Sequence, residues 1–418
     1  MTTDHAVLTP DPPLATLDRV RLPALRVGAA ALVLFLIAVV FLFPGGNTAY
    51  RQQFFRSYLQ AYLLWLGAGL GCAALLMLHH LTGGNWGWVI RRPLEAGAAT
   101  IPIMAVLFVP ILLAVTQVYL WPTERDHLGP HKRAYLSVGA FTVRSVAYLL
   151  IWIIIALALL GWSARAEEVT SPRFGRFLRK FSAAGLLLWG ITISLASVDW
   201  VMSLEQDWYS TVFGMIFMVG QALTALCVTT IAVAVFVPRA PQPYDQRLHG
   251  ETPPGAVPAA LLNDLGNLIF TFVILYTYMA FSQYLIIWCG NIREEVVWYT
   301  HRTRGVWRVV GLVLVIFHFA VPFLALLHRR IKRNPRTLVT IAVMLIVMRQ
   351  LDMIWMISPS PRLPAAGDWT AWQVLYAIWL DLAAPLAMGG LWFWFFLYRL
   401  RHRPLLPDVP FDLGGHHG

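Results

Sequence analysis

Charge is scarce in this chain: 13% of its 418 residues are Asp, Glu, Lys or Arg, 58% are hydrophobic, and the mean hydropathy is +0.63. That excludes an ordinary soluble domain, in which about a quarter of the residues are charged. Cysteine is scarcer still. Cys72, Cys227 and Cys289 all fall inside apolar blocks without CxxC or CxxCH spacing, which excludes an iron–sulfur cluster or covalent haem built by this chain alone. A buried b-type haem needs two central histidines on facing helices, yet only His318 is central, because His79, His80 and His328 fall at helix ends. Walker loops and dinucleotide fingerprints are absent, and Gly45-Gly46 and Gly83-Gly84 read as short turns. No metal or cofactor is therefore expected on this chain alone.

What is abundant is uninterrupted apolar sequence. A helix needs about 20 apolar residues to cross about 30 Å of hydrocarbon, and blocks such as the one opening at Ala31 are continuous rather than alternating, which excludes a barrel. The reading is an all-α integral membrane protein of about ten transmembrane helices, near residues 23–44, 55–80, 94–121, 134–162, 178–203, 211–238, 260–290, 304–328, 336–358 and 370–400. Ten crossings return the C-terminus to the starting side. Arg91, Arg92, the run from Arg165 to Lys180 and the run from Arg329 to Arg336 gather on that side, which predicts both termini in the cytoplasm. The same loops account for much of the +11 net charge, so no nucleic-acid partner is needed. Residues 1–22, with three prolines, are expected to be a disordered leader, 23–400 one membrane domain, and 401–418 a cytoplasmic tail. Trp86, Trp121, Trp298 and Trp307 fall near helix ends, as an interfacial belt requires.

Two stretches echo each other. Glu95-Ala96-Gly97 opens the third helix and Asp264-Leu265-Gly266 the seventh, and each runs on to a tryptophan, Trp121 or Trp288, with Glu124 or Glu294 beyond it. Asp199 follows Lys180 by nineteen residues, and Asp352 follows Arg333 by nineteen. An offset of four helices predicts two parallel four-helix bundles, helices 2–5 (about 55–203) and 6–9 (about 211–358), flanked by helices 1 and 10.

Ionisable residues at membrane depth cost about 2.5–3.5 kcal/mol each on insertion scales, so each asks for a reason. Arg144 lies near mid-depth in the fourth helix, with Asp199 as its expected neighbour. Arg349 and Asp352 are three residues apart and share a helix face. Asp381 and His318 stand alone in their helices. Asp264, His318, Asp381, Arg349 and Asp352 fall at successive depths of the second half, a series that reads as a proton path or as independent polar contacts between helices.

The segment Asp199-Trp200-Val201-Met202-Ser203-Leu204-Glu205-Gln206-Asp207-Trp208-Tyr209-Ser210 is the most distinctive in the chain. With Asn263-Asp264-Leu265-Gly266-Asn267, the stretch from Tyr278 to Tyr284, Asn291-Ile292-Arg293-Glu294-Glu295, Leu351-Asp352 and Ser358-Pro359, it resembles the ActF-type membrane subunit of alternative complex III, of the NrfD-like group. The resemblance implies a multi-pass subunit of a bacterial quinol:electron-acceptor oxidoreductase in the cytoplasmic membrane. Its implied partners are a sister NrfD-like membrane subunit, an iron–sulfur subunit and cytochrome c subunits, with haem c and the clusters carried by those partners and quinol as a ligand of the assembly. The implied role is proton conduction or a share in quinol binding. Asp199, Glu205, Asp264, Arg349 and Asp352 match the resembling segments and also stand out physically, as Arg144 does on depth alone; Asp199 and His318 are the candidate proton acceptors for quinol. A secondary transporter also uses repeats and midplane charges, but would show paired Gly/Pro breaks at matching positions. Here Pro102 and Pro110 interrupt the third helix and Pro322 the eighth. A purely structural scaffold subunit is the third reading.

Overall fold

The computed structural model describes residues 12–42, 48–124, 126, 128–168, 171–237, 259–361, 371–402 and 405. Among them ten helical segments are long and apolar enough to cross a membrane: Leu17–Ile37, Tyr50–Thr82, Asn85–Leu113, Val138–Arg165, Pro172–Leu204, Phe213–Phe236, Ala260–Gly290, Val306–Leu327, Pro335–Ile357 and Leu375–Arg401, called here the first to tenth spans. The fold is all-α, because a chain with this little polarity satisfies its backbone in lipid only within helices.

The second and sixth spans form the centre. Their apolar windows are 94% and 89% buried, against 17% to 50% for the other eight. A helix apolar on every side belongs inside a bundle, and these two pack directly on each other. Small residues permit the approach. A Cβ on Gly71 would lie 2.2 Å from the backbone oxygen of Gln221, so the two backbones touch where no larger residue fits. Around this pair the second span meets the third, fifth, ninth and tenth, and the sixth meets the seventh, ninth, fifth and third. The first span lies along the tenth, where a Cβ on Gly28 would come within 2.6 Å of Gly390 Cα.

The first helix runs over Pro12–Leu42, so residues 12–22 are helical rather than part of a disordered leader; residues 1–11 fall outside the described residues. Proline is tolerated in a first turn, where its missing N–H has no helical partner. Contacts with the tenth span then hold the segment. Leu17 is buried, Asp18 pairs with Arg401 at 3.1 Å, and the Arg21 guanidinium lies 5.0 Å from the Tyr398 ring centre. The Asp18–Arg401 pair also puts the start of the first helix and the end of the last at one end of the bundle, the termini end. Beyond His402, only Leu405 of the expected tail is described.

Two spans depart from regular helix. The third breaks into Asn85–Ala98, Ile101–Val106, Val109–Leu113 and, beyond the span, Val115–Val118, with Pro102 and Pro110 each in the first turn of a fresh piece. The eighth contains a π-helical stretch, Val315–Ala320, between Val306–Leu314 and Val321–Leu327. Pro322 has no N–H for the carbonyl four residues back, that of His318, which accounts for irregular backbone at this position.

Candidate functional site

Three networks of buried charge gather toward the end opposite the termini. The first joins the fourth and fifth spans. Asp199 is fully buried, and Arg144 reaches it with two parallel bonds, Nε to Oδ2 at 2.9 Å and Nη2 to Oδ1 at 2.8 Å. Such a fork is the strongest geometry for an Arg–carboxylate pair. Tyr148 adds a third bond by donating its hydroxyl to Oδ2 at 2.9 Å. The Arg144 guanidinium stacks 3.8 Å from the Tyr135 ring centre, and burial, with Asp199 nearby, pushes that phenol up to about 12. It therefore stays a neutral face for the cation. Arg144 and Asp199 meet as the sequence anticipates.

The second network lies in the connections. After the fifth span the chain makes a short turn, Met202–Leu204, that presents Glu205, and the helix Arg293–Arg302 between the seventh and eighth spans ends on Arg302. Arg302 donates Nη1 to Glu205 Oε1 at 2.6 Å and to the Trp298 carbonyl at 2.8 Å. It also donates Nη2 to the Met356 carbonyl at 2.6 Å and Nε to the Trp355 carbonyl at 3.2 Å. Those last two carbonyls belong to the final turn of the ninth span, where no intrahelical donor remains, so Arg302 caps that helix. Burial pulls the Arg302 guanidinium down to about 10, partly offset by Glu205, which leaves it charged at neutral pH. Ser360 bridges the pair, donating to Glu205 Oε1 at 3.1 Å and accepting from Arg302 at 3.0 Å. Arg56 of the second span bonds the Ser360 carbonyl at 2.8 Å and also donates to the carbonyl of Pro361.

The third network joins the sixth to ninth spans. Arg349 and Asp352 pair within one helix face, Arg349 donating Nη1 to Oδ2, and the Tyr276 hydroxyl donates to the same oxygen. The Arg349 guanidinium sits 4.7 Å from the Tyr276 ring centre, and the Tyr276 and His318 rings are 4.8 Å apart. Gly220 of the sixth span makes room for the cation, since a Cβ there would lie 2.4 Å from Arg349 Nη2. His318 is buried in the π-helical stretch, and its Nε2 has no hydrogen-bond partner among the described residues.

The expected second-half series is not assembled as a whole. Asp381 faces the second span, where Ser57 and Gln53 donate to its Oδ1 at 2.5 and 3.2 Å. The tenth span packs on the second, so the inward face of the tenth meets those side chains and not Asp352 of the ninth span. Asp264 is exposed near the termini end of the seventh span. It lies twelve residues before Tyr276, about 18 Å along the helix at 1.5 Å per residue, out of contact with the Asp352 network.

Several partners escaped the sequence reading. Arg302 falls in a polar connection of the sequence, where its four-residue spacing from Trp298 on one helix face is the one usable signal. Tyr276, Tyr148 and Ser57 are common residues in apolar helices, and only the folded chain shows which carboxylate each serves. No group of three His, Cys, Asp or Glu that would hold a metal ion occurs among the described residues. Set against known proteins, the chain matches no family model and no curated protein.

Proposed function

We propose that this chain is a proton-conducting membrane subunit of a quinol-oxidising redox assembly of the alternative complex III type, with the electron-carrying centres in partner subunits. The observation that carries the reading is the Asp352–Arg349–Tyr276–His318 network. It holds a carboxylate, a phenol and an imidazole whose Nε2 has no partner among the described residues, in succession at membrane depth. Ionisable groups in such a place most often belong to ion or proton pathways. The Asp199–Arg144–Tyr148 network has the same composition of acid, cation and phenol in the other half.

The two-bundle organisation belongs to this proposal. Under an offset of four, the contacts of the second span with the third, fifth and ninth correspond to those of the sixth with the seventh, ninth and fifth, which favours a parallel repeat of helices 2–5 and 6–9, while the sixth span's contact with the third falls outside that correspondence. The interruptions do not follow that offset, since the broken third span corresponds to the regular seventh and the π-helical eighth to the regular fourth. A transporter with paired broken helices fits this pattern less well. We place the termini end in the cytoplasm, where the Arg/Lys excess falls.

The test uses the native assembly. The chain carries an affinity tag, and the purified material is examined for haem c, iron–sulfur centres and a second polytopic subunit, then reconstituted in liposomes. Asp352→Asn should leave assembly and haem content intact while proton translocation per electron falls several-fold. Purification of the chain free of haem-containing partners, or an unchanged proton yield in the variant, would sink the proposal.

A further inference from the structure

At the termini end a cavity of about 180 Å³ opens between the third, fourth and tenth spans, lined by Arg92, Glu95, Ala96, Leu160, Arg399, Leu400 and His402. The networks described above lie at the other end of the bundle and do not use it. Its charges are unbalanced. Glu95 is the one carboxylate in the lining, and it is already engaged, by Arg91 Nε at 3.1 Å, by Arg92 Nη1 at 3.0 Å and by the Ser163 hydroxyl at 2.5 Å. Arg91 is also tied to the Ser163 carbonyl at 2.7 Å. Arg399 lies across the same cavity, is exposed, and pairs with no carboxylate among the described residues, whereas Arg401 is matched by Asp18. Two guanidiniums of the lining, Arg92 and Arg399, thus face one acid that Arg91 already shares from behind, and His402 stands beside them.

The depth and the apolar part of the lining restrict the anion. Arg92 lies seven residues into the third span and Arg399 two residues before the end of the tenth, one turn beyond Trp394 and next to Tyr398. The His402 and Tyr398 rings are 4.6 Å apart. Aromatic residues beside arginines at a helix end mark the headgroup level of a bilayer. Ala96, Leu160 and Leu400 give the cavity an apolar part of its lining that a freely soluble ion does not require, but that suits a phosphodiester followed by a glycerol carbon.

We propose that this cavity is a binding site for the headgroup of an anionic phospholipid. Arg92 and Arg399 hold the phosphate oxygens from opposite sides, and the acyl chains run out along the lipid-facing surface of the bundle. Arg92 is buried and oriented by Glu95, so it is the pre-set half of the clamp, while exposed Arg399 closes on the ligand. A guanidinium fork suits phosphate geometry better than an ammonium would, and basic recesses between spans are the usual headgroup sites.

The chain in its native assembly is exchanged into mild detergent and examined by native mass spectrometry and thermal unfolding with added phosphatidylglycerol, phosphatidylcholine or inorganic phosphate. Phosphatidylglycerol should be retained and should raise the unfolding temperature, with phosphatidylcholine and inorganic phosphate having much smaller effects. Arg399→Gln, at an exposed position that leaves the buried Arg91–Glu95–Arg92 group intact, should weaken phosphatidylglycerol retention about tenfold, one charge-assisted contact's worth. Its unfolding temperature without lipid should stay unchanged. Equal retention of the two lipids, retention insensitive to Arg399→Gln, or equal protection by inorganic phosphate would each overturn the proposal.

Discussion

Replacing Glu205 by Gln tests whether the connection after the fifth span is locked to the end of the ninth through a buried ion pair. The side chain of Arg302 is fully buried, and Glu205 supplies its only carboxylate contact among the described residues, at 2.6 Å. Removing one member of a buried pair costs about 3–5 kcal/mol, because the other charge stays in a poorly solvating place. The substitution is milder than that range at first sight. Gln keeps an oxygen for Arg302, and the carbonyls of Trp298, Trp355 and Met356 remain as acceptors, with the Trp298 ring 3.8 Å from the guanidinium. About 3 kcal/mol, the low end, is therefore expected. Thermal unfolding followed by tryptophan fluorescence reads it, in a double-mutant cycle with Arg302→Met, which should return a coupling of about 2 kcal/mol or more. An unfolding temperature within about 1 °C of the parent would refute the buried-pair argument. The pH dependence provides a second check. Below about 10 both the folded and unfolded chains hold the Arg302 proton, so this residue gives stability no slope near neutrality. Between about 10 and the ordinary 12.5 the unfolded chain holds more protons, and stability attributable to Arg302 rises with pH.

Arg144→Gln leaves the fully buried Asp199 carboxylate without its cation and should destabilise by about 3–5 kcal/mol, whereas Lys132→Ala, which breaks an exposed pair with Asp207, should cost under about 1 kcal/mol. Equal effects in chemical denaturation would contradict the burial argument. Gly71→Leu forces a side chain into the Gln221 backbone at the central crossing. It should cost well above the usual 1–3 kcal/mol of overpacking, seen as loss of monodisperse protein on size-exclusion chromatography. Pro322→Ala restores the missing N–H, so a structure of the variant should show regular helix through Val315–Ala320 and a changed His318–Tyr276 ring separation; an unaltered π-helical stretch would show that packing, not proline, holds it.

Ten spans and the Arg144–Asp199 and Arg349–Asp352 pairs could be read from the sequence, although the third span opens at Asn85 and not at 94, and the first at Leu17 and not at 23. Apolar run length reports membrane crossing directly, and i,i+3 spacing fixes a shared helix face whatever surrounds it. Hydropathy says nothing about which span is central. All ten are similarly apolar, and it is the Gly71–Gln221 crossing that brings the second and sixth together and turns the others around them. The same ignorance of neighbours left Asp381 without named partners: its depth was legible, but Ser57 and Gln53 lie more than three hundred residues away. Arg302 likewise falls between spans in the sequence, and only the fold sets it over the last turn of the ninth span. Sequence by itself determined which segments leave water and which polar groups go with them. Only the tertiary structure decided which of those groups meet, because in a bilayer the partner of a buried charge is chosen by packing between helices and not by position along the chain.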